Sequence, residues 1–165
     1  MDSLAIATAL ETQHPSPPLH LDNNLHATVG AILGKIALPL IPVFMPLIGR
    51  TIVPESASAY FHETRAQRFG MPLELLEAEK GGEQAWVAAR PGIEDLKAFL
   101  RENKKDEGPF VLGSEVCYAD FVVAAMMESL RRIGPELYAR FVQEDGEGAL
   151  RALHEACSQW MEKDT

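Results

Sequence analysis

The chain has 165 residues, 47% of them apolar, and a formal net charge of −9. That length suits one domain with an added element at one end, and that apolar fraction is enough to fill a core. The acidic balance argues against a nucleic-acid binder, which needs clustered Lys and Arg for phosphate contacts. No dense acidic block marks a disordered tail. The two cysteines, Cys117 and Cys157, fall on apolar faces of predicted helices, as buried free thiols of a reducing compartment do. No CxxC pair or His/Cys cluster suggests a metal, and the start of the chain lacks the basic region of a secretory signal. A soluble cytoplasmic protein without a metal is expected.

Ser3 to Gln13 reads as a short helix. Leu4, Ile6, Ala7 and Leu10 supply its apolar positions, and Asp2 and Ser3 are good cap residues. Pro15, Pro17 and Pro18 end it and favour an extended connector running to Asp22. Residues 27–34 are helical in pattern. Fourteen residues without a charge follow, Ile36 to Gly49, between Lys35 and Arg50. This stretch is shorter than the roughly 20 apolar residues of a membrane span. It also carries Pro39, Pro42 and Pro46, each of which removes a helical hydrogen bond. A buried, broken helix is expected ahead of a membrane-surface or partner-contact segment, and a span is the least favoured.

A further helix runs from Pro54 to Phe69, where Ala57, Tyr60, Phe61, Thr64, Arg68 and Phe69 mark one face. Gly70 and Pro72 end it, residues 73–80 continue helically, and Gly81-Gly82 is a break. Residues 83–103 form a long helix interrupted or kinked at Pro91, with Ile93, Leu96, Phe99 and Leu100 inward. A charged loop at 104–108 and a short extended approach, 108–113, lead to the best-marked helix of the chain. There Cys117 reads as N-cap, Asp120 as N3, and Val116 and Phe121 as the two positions of a hydrophobic staple. The Asp120 carboxylate can accept a hydrogen bond from the Cys117 N–H. Residues 121–127 are apolar on every side, the mark of a helix buried all round. Gly134-Pro135 starts another helix, with Leu137, Phe141 and Val142 inward. After Gly146 and Gly148 a last helix covers 149–162, with Leu150, Leu153, Cys157, Trp160 and Met161 on one face. No period-2 segment exceeds about three residues, so the sum is an all-α bundle.

By spacing alone there is no catalytic constellation. GxSxG, HExxH, P-loop and GxGxxG motifs are absent. The five histidines, His14, His20, His26, His62 and His154, have no carboxylate or nucleophile at a useful spacing.

Two patterns in order change this reading. Asp2-Ser3 is followed by Ile6, Leu10, His14-Pro15 and Pro17-Pro18-Leu19; residues 108–113 are followed by Tyr118-Ala119-Asp120. Together they resemble the cytosolic glutathione transferases, from Asp2 to about Trp160. In that family an acidic residue and a serine open the last helix of a thioredoxin-like domain. A proline-containing linker then leads to an all-helical C-terminal domain whose sixth helix begins at a capping motif. Tyr60 to Arg65, with Arg68, Phe69 and Gly70, looks like a fungal and bacterial subgroup of that family. The subgroup includes β-etherase-like transferases and transferase-like proteins of fungal secondary-metabolite clusters, such as that of the ustiloxin pathway.

The resemblance implies a division at residue 22. Residues 1–22 would be the last thioredoxin-like helix with its linker, and 23–165 the glutathione-transferase C-terminal helical domain. Asp2 and Ser3 match the pair that binds the γ-glutamyl end of glutathione, a carboxylate for the ammonium group and a hydroxyl with helix N–H groups for the carboxylate. A plain helix cap is the alternative for that pair. Asp120 matches the structural capping aspartate, and Cys117 stands where Ser or Thr is usual, a poorer acceptor. Tyr60, Thr64 and Arg65 are candidates for the wall facing a hydrophobic electrophilic co-substrate, against the reading that Tyr60 and Phe61 are core packing. The family's activating Tyr, Ser or Cys and its cis-proline loop lie upstream of the acid-serine pair, outside this chain, so weak or no activity is expected of it. The family forms dimers, which leaves a homodimer open here, although part of that interface comes from the thioredoxin-like domain. The rival expectation is a non-enzymatic helical binding or assembly module, motivated by the charge-free segment from Ile36 to Gly49.

Overall fold

The apolar periodicities are realised as eight α-helices among the described residues: α1 Ser3–Gln13, α2 Leu25–Thr51, α3 Glu55–Phe69, α4 Leu73–Lys80, α5 Glu83–Glu102, α6 Tyr118–Ile133, α7 Pro135–Asp145 and α8 Ala149–Cys157. The computed structural model describes residues 3–146 and 148–161. Short 3-10 turns at Leu21–Asn23 and Ser158–Trp160 flank the bundle, and an antiparallel bridge between Phe110 and Gly113 replaces the extended approach expected there.

α2 is the axis. It packs against α5, α6, α4 and α3, and it runs unbroken where a broken helix was expected. Pro39, Pro42 and Pro46 are spaced by three and four residues, so they share one face. Pro42 and Pro46 are buried. An interior proline costs about 3 kcal/mol in an isolated helix; here the tertiary packing of that face holds the helical path through all three. By length and composition α2 could cross a membrane, with a mean hydropathy of 2.0 in its most apolar stretch. Its Val29, Ile36 and Leu40 instead lie in the core of the bundle. The opposite side, Leu38, Ile41, Met45, Ile48 and Ile52, stays apolar and partly open, with Leu38 67% exposed.

α2 and α5 cross closely. A Cβ on Gly92 of α5 would lie 2.8 Å from Ile36 Cγ1 and 3.1 Å from the Ile36 backbone nitrogen, so only glycine permits this approach. Lys35 and Asp95 close the edge of the crossing with an ion pair of 2.6 Å. α5 also continues through its proline: Pro91 is exposed, and so is Val87, whose carbonyl loses its helical donor at a site water can reach. Ile93, Leu96, Phe99 and Leu100 are buried, as the periodicity requires.

α6 differs from expectation. Val123, Ala124, Met127 and Leu130 are buried, but Ala125 is exposed and Phe121, Val122 and Met126 are half-buried. The helix is therefore apolar all round without being covered all round; Trp160 covers part of the open side through Phe121, with ring centroids 5.3 Å apart.

The close crossing predicts opposite outcomes for two glycines. Gly92→Val must displace Ile36 or the α2 backbone and should lower the unfolding free energy by about 1–3 kcal/mol. Gly34→Ala on α2, where an added Cβ meets nothing within 4 Å, should raise it by about 0.5–1 kcal/mol. Urea denaturation midpoints check both, and an unchanged Gly92→Val protein would contradict the crossing.

Candidate functional site

α1 and its linker form one side of the candidate site. Ser3 is the first residue of α1 and is exposed; Asp2 lies outside the described residues. Behind Ser3, the outward face of α1 carries Ala5, Ile6, Ala9, Leu10 and Gln13 around a shallow apolar hollow of about 250 Å³. The helix is strapped to the bundle through main-chain groups. Glu11 Oε1 accepts from the Leu19 N–H at 2.7 Å, and the Leu19 carbonyl accepts from the Tyr118 N–H, the first of α6, at 2.8 Å. His20, in the left-handed region with φ 55°, reaches Glu115 at 2.9 Å, and Lys105 meets the other Glu115 oxygen at 3.1 Å.

The start of α6 is organised by Asp120. Its side chain is fully buried. Oδ2 accepts from the Cys117 N–H at 2.7 Å, and Oδ1 accepts from the Val111 N–H at 2.7 Å. One carboxylate thus caps the helix and fastens the 110–113 turn to it. Burial pushes the Asp120 carboxyl above the ordinary aspartate range, against the pull of these two N–H donors. The same burial, with the Asp120 charge adding to it, pushes the Cys117 thiol up to about 12. Cys157, also buried, is pushed up to about 12 for the same two reasons. Neither thiol is a source of thiolate at neutral pH.

Around this point lies an aromatic group: His26 stands edge-on to Tyr118 at 5.9 Å, and Trp160 meets Phe110 at 6.0 Å and Phe121 at 5.3 Å. The sequence pattern placed Trp160 on an inward face, but the last helix ends at Cys157 and tightens to a 3-10 turn, which leaves Trp160 46% exposed. His26 carried no spacing signal of its own.

The three residues singled out on α3 are linked through the Thr64 hydroxyl. Tyr60 is 73% exposed, so it is not core packing. The Thr64 hydroxyl donates to the Tyr60 carbonyl at 2.8 Å and receives Arg65 Nη1 at 3.3 Å. Arg65 lies over the Phe61 ring, 4.8 Å from its centroid. Phe61 and His62 pack against Gly49 of α2, where a Cβ would stand 3.1 Å from His62 Nε2. The face expected to be buried on α3 is therefore only half covered, because α3 docks through its Phe61–His62 edge. Among the described residues no cluster of three or more His, Cys, Asp or Glu side chains could hold a metal.

With this geometry in view, the chain compares with known proteins as follows. A family model described as glutathione S-transferase, C-terminal domain, matches residues 25–160. The glutathione S-transferase-like protein ustS of Aspergillus flavus is 31% identical over 171 aligned residues, covering 98% of this chain and 61% of ustS. The glutathione S-transferase CsGST83044 of Ceriporiopsis subvermispora, solved in complex with glutathione, superposes with a TM-score of 0.76 at 26% identity. That match covers 96% of this chain and 65% of the other. Glutathione transferase GSTFuA3 of Phanerochaete chrysosporium gives a TM-score of 0.79 at 26% identity, covering 99% of this chain and 66% of its own. This chain thus spans about three fifths of ustS and just under two thirds of both solved structures.

Asp120→Ala leaves two buried N–H groups without an acceptor. At about 1–3 kcal/mol each, the variant should lose about 2–6 kcal/mol of stability. Asp120→Asn keeps one acceptor and should lose less. Urea titration of the pair checks this; equal losses, or none, would contradict the bridging role.

Proposed function

The chain belongs to the glutathione S-transferase family through its C-terminal helical domain, and on that premise we propose that it is the electrophile-side part of a transferase that joins glutathione to a hydrophobic electrophile, or uses it to cleave one. The observation that carries this reading is the match over 96% of the chain to a transferase solved with glutathione. Residues 1–22 then act as the last helix and linker of a thioredoxin-like domain, and 23–165 as the helical domain.

In this reading Asp2 receives the ammonium group of the γ-glutamyl moiety, and Ser3 with the first N–H groups of α1 receives its carboxylate. The exposure of Ser3 at the start of α1 supports the assignment. Tyr60, Thr64 and Arg65 form part of the electrophile wall: exposed Tyr60 offers an aromatic surface, and Arg65, stacked on Phe61, a fixed cation. Cys117 and Asp120 serve folding. Thiolate formation is the missing function. Both thiols of this chain titrate at about 12, and burial raises the Tyr138 phenol too. In this reading the chain by itself conjugates little or nothing. We place this activity in fungal secondary metabolism or detoxification, in the cytoplasm; the match to a protein of Aspergillus flavus supports the fungal part of that setting.

A second reading rests on the apolar outer sides of α1 and α2, where Leu10 is 52% and Leu38 67% exposed: a helical module that binds or assembles, as a homodimer, without catalysis.

Calorimetric titration with millimolar glutathione separates the two. The first reading expects a weak binding isotherm that Ser3→Ala loosens by about threefold to tenfold, the equivalent of about 0.7–1.4 kcal/mol. No heat at millimolar ligand removes glutathione binding from this chain. A monomer by light scattering at the same concentrations removes assembly.

A further inference from the structure

At the far end of α6, three helices converge on a buried histidine. His154 of α8 is 8% exposed. Its Nδ1 lies 3.0 Å from the Tyr138 hydroxyl of α7. Its Nε2 is buried and 3.5 Å from Glu128 Oε2 of α6, without the alignment of a hydrogen bond. Glu128 is already engaged: Arg131 grips both its oxygens, at 2.8 and 2.7 Å, and Arg132 Nε adds a third bond at 2.7 Å. These three bonds hold the Glu128 carboxyl down at about 2, so it stays charged. Beside the junction opens a cavity of about 370 Å³ lined by Glu128, Arg131, Arg132, His154, Glu155 and Ser158.

Neutral His154 suits this setting. The tyrosine hydroxyl donates to Nδ1, and Nε2 keeps its hydrogen toward Glu128. The protonated ring does not. Nδ1–H would need the Tyr138 oxygen as acceptor, so the hydroxyl would have to turn its own hydrogen away. The new cation would also share with Arg131 and Arg132 a carboxylate that both already hold. The charged or titratable groups facing the imidazole are Glu128, Arg131 and Arg132 from α6, Tyr138 from α7, and Glu155 from α8 itself, while Arg151 of α8 acts on Tyr138; the turn after α8 contributes Ser158 and no charge.

We propose that the Tyr138–His154–Glu128 junction is an acid-released latch, in which protonation of His154 undocks α8 from α6 and α7. The consequence reaches the other end of α6. α8 leads directly into the turn Ser158–Trp160, which sets Trp160 on Phe110 and Phe121, beside the Asp120 cap. Release of α8 would uncover the apolar first turn of α6. The latch stands apart from the glutathione reading, since none of its residues is assigned to ligand or wall.

The sign follows from burial. Burial lowers the His154 pKa below the ordinary 6.5, and the nearby Glu128 only partly offsets it. The undocked imidazole therefore takes up a proton more readily than the docked one. Docking is complete above pH 6.5 and is lost as pH falls through the lower, docked value.

Amide hydrogen exchange on the intact chain, at about pH 7.5 and about pH 5 on either side of the histidine range, tests this after correction for intrinsic rates. α8 should lose protection on acidification, by up to about tenfold per pH unit for one proton, while α5 holds. His154→Gln should abolish the acid response of α8. Glu128→Gln, which removes the group favouring the protonated docked ring, should deepen the acid loss of α8 protection. An α8 that keeps its protection at the lower pH, the same acid response in His154→Gln, or an acid loss no deeper in Glu128→Gln would overturn the latch.

Discussion

Everything at the candidate site depends on one buried carboxylate. Asp120 is fully shielded from water, yet both its oxygens are occupied by main-chain N–H groups 2.7 Å away. A buried carboxylate without donors is severely penalised, and a helix start or a turn with unbonded N–H groups is penalised too. Placed together, the three deficits satisfy one another. The 110–113 turn, the first turn of α6 and, through the Tyr118 N–H, the linker behind α1 are thereby fixed as one unit. The pull of burial on Asp120 toward protonation measures what this arrangement opposes, and the same burial makes Cys117 inert.

The second constraint is the α2–α5 crossing. Gly92 lets α5 reach the α2 backbone, and packing over buried Pro42 and Pro46 turns a run that would break an isolated helix into the axis of the bundle. Propensity loses to packing here because α2 meets other helices along almost its whole length. The helix also has a second side, from Leu38 to Ile52, that the bundle leaves partly open. The same is true of α1 and of one side of α6.

Much of this is legible in the sequence. The boundaries of α1, the cap of α6 and the inward positions of α5 follow from periodicity and cap chemistry, which are local. The second bond of Asp120, to Val111, did not: it joins a helix to a turn nine residues earlier, and no spacing rule encodes it. The continuity of α2 was hidden because the penalty of proline is local and its compensation is tertiary. Whether Tyr60 packs inward or faces outward is not legible in the sequence, because an aromatic stripe at helical spacing does not say which edge of α3 docks; the gap at Gly49, which admits Phe61 and His62, decides that edge. His154 had no partner within helical reach, and its three-helix junction exists only in the fold.

The picture proposed here is a helical domain that presents Ser3 at the start of α1, while burial holds both its thiols, Cys117 and Cys157, up at about 12. The direct measurement is the ultraviolet absorbance of the thiolate when glutathione is mixed with this chain at neutral pH. The account predicts no thiolate beyond that of free glutathione, even when calorimetry registers binding. A thiolate band that grows with added protein would contradict it, and would require an activating group within these 165 residues.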